Sequence, residues 1–198
     1  MGRGVGVPSL SQVLGWDTEH LRRGATDWVA AAERWEDAFT NVHRGTVCPG
    51  GTVWEGQAAE AGQNRAFADL VKVRRLADSL QDAAVVARRG ADQLDYLKRH
   101  TVDAINAARN AGFTVGENLA VTDSSRAGAF RIGHAQQHAA TIASRASALI
   151  VADNDIAARI TATVAQLADH KLDDFPNDRT VQAVDYKTAP PPSVLPSK

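Results

Sequence analysis

His134 and His138 stand one helical turn apart, a spacing from which two imidazoles can reach a single metal ion. The residues between them, Ala135-Gln136-Gln137, lack the glutamate of a zinc-protease helix, and the sequence offers no evident third ligand. Two surface or half-buried histidines account for the pair better. Asp153 and Asp155 provide two carboxylates, but residues two apart on a helix point to different faces and cannot readily share one substrate. Asp153 is expected instead to bond across a bundle to Arg, Gln or Ser and so fix helix register. Ser124-Ser125 has no linked base or oxyanion donor, and helix capping explains it better. The run Gly112 to Gly116 is neither a phosphate loop nor a dinucleotide fingerprint. Cys48, beside Pro49, has no neighbour that would clearly activate a thiolate. None of these groups reads as catalytic, and no metal or cofactor is expected.

Charge narrows the partners. Arg74-Arg75, Arg88-Arg89 and Lys98-Arg99-His100 are interrupted by Asp78, Asp82, Asp92 and Asp95, which is the ordinary make-up of a solvated helix face. With a net charge of -1, the chain has no electrostatic reason to seek nucleic acid or acidic lipid. The single cysteine excludes an intrachain disulfide. Met1 to Pro8 lacks the regions of a secretory signal peptide, and no apolar run approaches the roughly 20 residues of a membrane span. Any export is therefore expected to use a route that reads no cleaved signal.

The elements that would position these residues are helices. Apolar residues make up 44% of the chain, but alanine supplies 36 of its residues and aromatics only 6%, which favours closely packed helices over a bulky sandwich core. Ser9 to Leu14 reads as a helical turn between Pro8 and Gly15. After Asp17 or Thr18 as cap, Leu21, Ala25, Trp28, Ala32, Trp35, Phe39 and Val42 alternate steps of four and three, an apolar seam no strand can use. Pro49-Gly50-Gly51 breaks the pattern. A second helix is expected from about Gln57 to Ala111, with a seam of Leu70, Val73, Ala77, Leu80, Ala84, Ala87, Ala91 and Leu94, a bend at Gly90 and a C-terminal cap at Gly112. Phe113-Thr114-Val115 and Leu119-Ala120-Val121 flank Gly116-Glu117-Asn118, which allows a miniature hairpin over 113–121 or a loop. Thr122 to Ser125 is read as the cap of a third helix reaching about Leu172, with Ile142, Ala146, Leu149, Asp153, Ile156, Ile160 and Leu167 on one line.

The expected fold is thus all-α: an elongated bundle of three long helices over residues 1–175, followed by a Pro-rich tail or linker over 176–198. The expected core includes Trp28, Trp35, Phe39, Leu70, Leu80, Ile142, Leu149, Ile156 and Ile160. Short turns make successive helices antiparallel, so the far end of the second helix lies beyond the first and packs mainly on the third. An alanine-rich two-helix tip there is expected to leave some seam exposed, and exposed seams invite a partner.

One motif is more specific. Trp54-Glu55-Gly56 sits between two long helices in an alanine-rich chain, where Trp54 can lay a large ring across the helix ends and Gly56 allows close backbone approach. This turn resembles that of the WXG100/ESAT-6-like superfamily of type VII (ESX) secretion substrates, over about residues 9–110. The third helix, and the phrases Asn110-Ala111-Gly112-Phe113-Thr114-Val115-Gly116-Glu117 and Val181-Gln182-Ala183-Val184-Asp185, resemble the larger mycobacterial EspB/PPE-like N-terminal helical domains. The resemblance implies a non-catalytic targeting or assembly module, secreted or envelope-associated after synthesis in the cytoplasm. It also implies a second signal, Tyr-x-x-x-Asp/Glu, which this chain lacks: four residues after Tyr96 is His100, and four after Tyr186 is Pro190. Either the secretion machinery or a partner helical protein supplies that half, or a degenerate version serves, or the chain is not exported by itself. The other reading is a cytoplasmic helical adaptor or chaperone that binds a partner helix of a secretion substrate. A bundle-end plug is the plain structural alternative for Trp54, and the oligomeric state is open.

Overall fold

Ser9 opens the chain's first element, α1 (Leu10–Leu14), in a reciprocal cap: its hydroxyl accepts from the Gln12 amide while the Gln12 side chain accepts from the Ser9 amide. In this computed structural model, which describes residues 6–123, 125 and 129–169, Gly15 closes that short helix and Leu10 and Val13 are buried. Helix α2 (Glu19–Val47) follows, then a 3-10 turn at Pro49–Gly51, and α3 (Gln57–Asn110) runs unbroken for 54 residues, about 80 Å at 1.5 Å per residue. Two short antiparallel strands, β1 (Phe113–Val115) and β2 (Val121–Asp123), lead into α4 (Ala129–Asp169). The all-α architecture with a small β-hairpin is therefore as expected. The proposed tail at 176–198 and the end of the third helix near Leu172 lie outside the described residues.

Alanine sets the spacing of the three long helices. Ala25 packs with Ala84 and Ala87, and Ala32 with Ala77 and Leu80, so α2 lies antiparallel on the first two-thirds of α3. The register is locked at the start of α2. The Thr18 hydroxyl donates to Asp95 (2.8 Å), Arg22 Nη2 donates to Asp92 and Asp95 (2.9 Å each), and Lys98 Nζ donates to the Trp16 carbonyl (2.6 Å). Helix α4 runs back along α3: Ile142 meets Ala104, Ile105 and Ala108, Leu149 and Ile156 meet Leu94, and Leu167 packs on the Ala32-Ala77-Leu80 cluster.

Several expectations need correction. Gly90 is buried within the continuous helix α3, and a Cβ there would come within 2.6 Å of Ile156 Cγ2, so its role is to let α4 approach closely. Thr122 and Asp123 pair in β2 instead of capping α4, which starts only at Ala129. The second strand is displaced because Leu119 takes φ +63° and turns its side chain into the core, at 2% exposure. Asp153 is half-buried, and among the described residues its side chain makes no bond across the bundle. Trp35 is 41% exposed and outside the core, while Trp28, Phe39 and Ile160 are half-buried. Leu70, Leu80, Ile142, Leu149 and Ile156 are buried.

The largest difference concerns the far end of α3. It is not an exposed two-helix tip. Leu10 and Val13 from α1, with Val115 and Leu119 from the hairpin, close over Ala104, Ile105, Ala108 and Ile142. Glu117 ties this cap together: its carbonyl accepts from the Leu10 amide (2.8 Å) and its carboxylate from the Ser11 amide and hydroxyl. Those hydrogen bonds hold the Glu117 carboxyl below the ordinary value of 4.5. Arg131 does the same for the hairpin, donating to Asp123 and to the Ala111 carbonyl (2.9 Å each) while its guanidinium lies over the Phe113 ring. Among the described residues, the uncovered seam is at the opposite end.

Candidate functional site at the Trp54 hairpin tip

Helix α2 ends at Val47 because the next residues cannot continue it. Cys48 is extended away from helical geometry, and Gly50 and Gly51 take φ +63° and +84°, left-handed values that glycine adopts without strain. The Trp54 amide then returns to the Val47 carbonyl (3.4 Å). Gly56 sits at φ 102°, ψ 174°, a region essentially reserved for glycine, and its carbonyl accepts from the Glu60 amide to start α3. A Cβ on Gly56 would meet nothing within 4 Å. Its role is thus backbone conformation, and the expected close approach is not made there.

Trp54 projects at this turn with 39% of its surface exposed, and Glu55 beside it is exposed. Val47, Val53 and Phe67 around the tip are 40%, 64% and 53% exposed. The described part of α4 does not reach this region. Leu167 packs at the level of Ala77, some 20 residues and about 30 Å along α3 from Gln57.

The flank that α4 covers continues toward Trp54. Heptad-related positions on a straight helix share nearly the same face. Trp28 and Ala31, beside Leu167, are half-buried. Their successors at seven and fourteen residues are Trp35 and Val42, and Ala38 and Gly45. Trp35 is 41% and Val42 56% exposed, and Ala38 and Gly45 are exposed as well. Among the described residues, an apolar face that is covered where α4 passes is therefore uncovered beyond it. On the seam itself, His43 and Phe67 stack at 5.7 Å between ring centroids.

The other groups singled out in the sequence do not converge. His138 contacts the Phe113 ring and His134 is exposed, and among the described residues no three His, Cys, Asp or Glu side chains are grouped to hold a metal. Cys48 is exposed in the turn. Tyr96 is 53% exposed and stacks on His100 at 4.2 Å, beside a shallow depression shared with Arg99, Val102 and Asp103. It stands about 60 Å along α3 from the Trp54 turn, so it cannot complete that motif within one chain. Ser124 lies outside the described residues, and Ser125 donates to Asp123. Two residues that matter at the tip, Gly62 and Gln63, were not singled out by periodicity; an isolated glycine inside an alanine-rich helix was the available signal. Among the described residues no helix is long and apolar enough to cross a membrane.

The chain is similar to mycobacterial proteins. Uncharacterized proteins of Mycobacterium tuberculosis and Mycobacterium bovis are 34% identical to this chain over 198 aligned positions, which cover 94% of the chain and 60% of each relative. The chain thus spans about three-fifths of the length of the curated relatives it matches. No protein-family profile and no solved structure matches it.

Proposed function

We propose that this chain is a non-catalytic helical targeting or assembly module of type VII (ESX) secretion, and that its Trp54 tip is the surface it presents. The observation that carries the reading is Trp54, 39% exposed on a glycine-dependent turn at the end of a two-helix hairpin that no described part of α4 covers. The adjoining flank, with Trp35 and Val42, is an apolar face of the kind that marks interaction sites. A ring sealed under α4 would have favoured a structural plug; among the described residues no part of α4 covers it. The partner envisaged is the secretion machinery itself or a helical protein that brings the missing Tyr-x-x-x-Asp/Glu signal, since Tyr96 is too distant. The relatives are mycobacterial, as are the EspB/PPE-like domains that the third helix and the phrase Asn110 to Glu117 resemble.

The test is export of the full chain from cells with and without a type VII apparatus. Export is expected to require the apparatus and to be lost in Trp54→Ala and Gly56→Ala while far-UV circular dichroism stays helical. Unchanged secretion of both variants refutes the proposal. The exposed Trp35-Val42 flank also suits a cytoplasmic adaptor that receives a partner helix. Protein found only in the cytosol, bound to a secretion substrate, would favour that second reading.

A further inference from the structure

The turn motif in the sequence is three residues long, but more residues hold the indole where it is. Glycine is the poorest helix former after proline, so a glycine within an alanine-rich helix asks for a physical reason. Helix α3 contains two, Gly62 and Gly90. Gly90 makes room for Ile156. At Gly62 a Cβ would lie 3.1 Å from Trp54 Cζ3 and 3.2 Å from Cη2, so the six-membered edge of the indole rests on bare helix backbone. The next residue completes the arrangement. Gln63 Nε2 donates to the carbonyls of Trp54 (3.2 Å) and Thr46 (3.4 Å), joining the last turn of α2 and the residue that bears the indole to the second turn of α3. The Thr46 carbonyl is one of the four at the end of α2 that have no partner within the helix. Gly56 sets only the path of the backbone.

We infer that Gly62 and Gln63 are positioning residues for Trp54, the first a seat for the ring and the second a clamp on the turn. The recognition element is then the run from Trp54 to Gln63, with 39% of Trp54 left exposed beside its seat on α3. The inference rests on reading the tip as a recognition site. Holding the ring in one orientation before a partner arrives removes part of the ordering cost of binding.

The full chain gives four indole N–H resonances in a proton–nitrogen spectrum, one for each of Trp16, Trp28, Trp35 and Trp54, and Trp54→Phe assigns the last. Gly62→Ala is expected to be at least as heat-stable as the parent, to move the Trp54 resonance alone, and to reduce export to the level of Trp54→Ala. Gln63→Glu, which keeps the shape but removes the donor, is expected to move the same resonance and lower export, and it serves if Gly62→Ala folds poorly. An unmoved Trp54 resonance in both variants overturns the inference, as does normal export with the resonance displaced where Trp54→Ala blocks export. If Trp54→Ala is itself exported normally while Gly62→Ala moves the resonance, the seat stands and the reading of the tip as a signal falls.

Discussion

Replacing Gly90 with alanine sets two known effects against each other at one buried point. A Cβ built on Gly90 lies 2.6 Å from Ile156 Cγ2 and 3.1 Å from both Cγ1 and Cδ1. Carbon atoms pack comfortably at about 3.5–4.0 Å, so the clash is roughly 1 Å deep and involves three atoms of one side chain. Ile156 is 2% exposed, with Leu94 and Leu149 in its cluster at 0%, and has little room to retreat. Overpacking of this kind costs about 1–3 kcal/mol, and three clashing atoms argue for the upper half of that range. Alanine in place of a helical glycine returns about 1 kcal/mol. The expected net loss is about 1–2 kcal/mol, a fall of roughly 2–8 °C in Tm for a chain of this size. Urea unfolding followed by circular dichroism measures it. The decisive comparison is the same substitution in an Ile156→Ala background, where the obstructing atoms are gone. There Gly90→Ala is expected to stabilise by about 1 kcal/mol, giving a coupling of about 2–3 kcal/mol between the two sites. Gly90→Ala that stabilises the parent, or costs the same in both backgrounds, refutes the close-approach reading.

Thr18→Val keeps the shape of a 4%-exposed side chain but removes the donor to Asp95, and is expected to cost about 1 kcal/mol in urea unfolding; no loss would mean that Arg22 alone satisfies that carboxylate. Acid is expected to loosen the end of the bundle capped by α1 and the hairpin first. Hydrogen bonds from Ser11 hold Glu117 below its ordinary 4.5, and at Asp123 the opposing effect of burial is outweighed by Ser125 and Arg131, which hold it below 3.8. For carboxyls lowered in the folded state, the stabilisation is fully present above the unfolded values and is lost as pH falls through the folded ones. Amide exchange in α1 and the hairpin should therefore be flat from pH 7 to about 5, after correction for intrinsic rates, and accelerate below about 4.5; acceleration already at pH 6 would point to another group.

Much of the fold was legible because helix formation and apolar periodicity are local. The 4-3 spacing from Leu21 to Val42 and from Leu70 to Leu94 marked two helices, and Pro49-Gly50-Gly51 marked the turn between them, each by chemistry that acts within a few residues. The short helical turn between Pro8 and Gly15 and the glycine after α3 are of the same kind. Periodicity tells which face of a helix is apolar, but not whether another element covers it. Trp28, Trp35 and Val42 lie on one line in the sequence. Only the point where α4 passes divides them into a half-buried residue and two exposed ones.

Three-dimensional placement decided the rest. Helix α2 is too short to cover α3, and which end would stay bare depended on where α1 and the hairpin docked; Glu117 and Leu10, 107 residues apart in sequence, settle that contact. Gly90 and Gly62 look alike as helix-weakening residues, and only their neighbours Ile156 and Trp54 show that both are sites of close approach. The sequence by itself determined the helices, their seams and the position of the Trp54 turn, because those follow from local propensity and spacing. The tertiary structure alone decided that the far end of α3 is sealed, that no described part of α4 covers the Trp54 end, and that the indole rests on Gly62, because burial is a property of pairs of surfaces that no single segment carries.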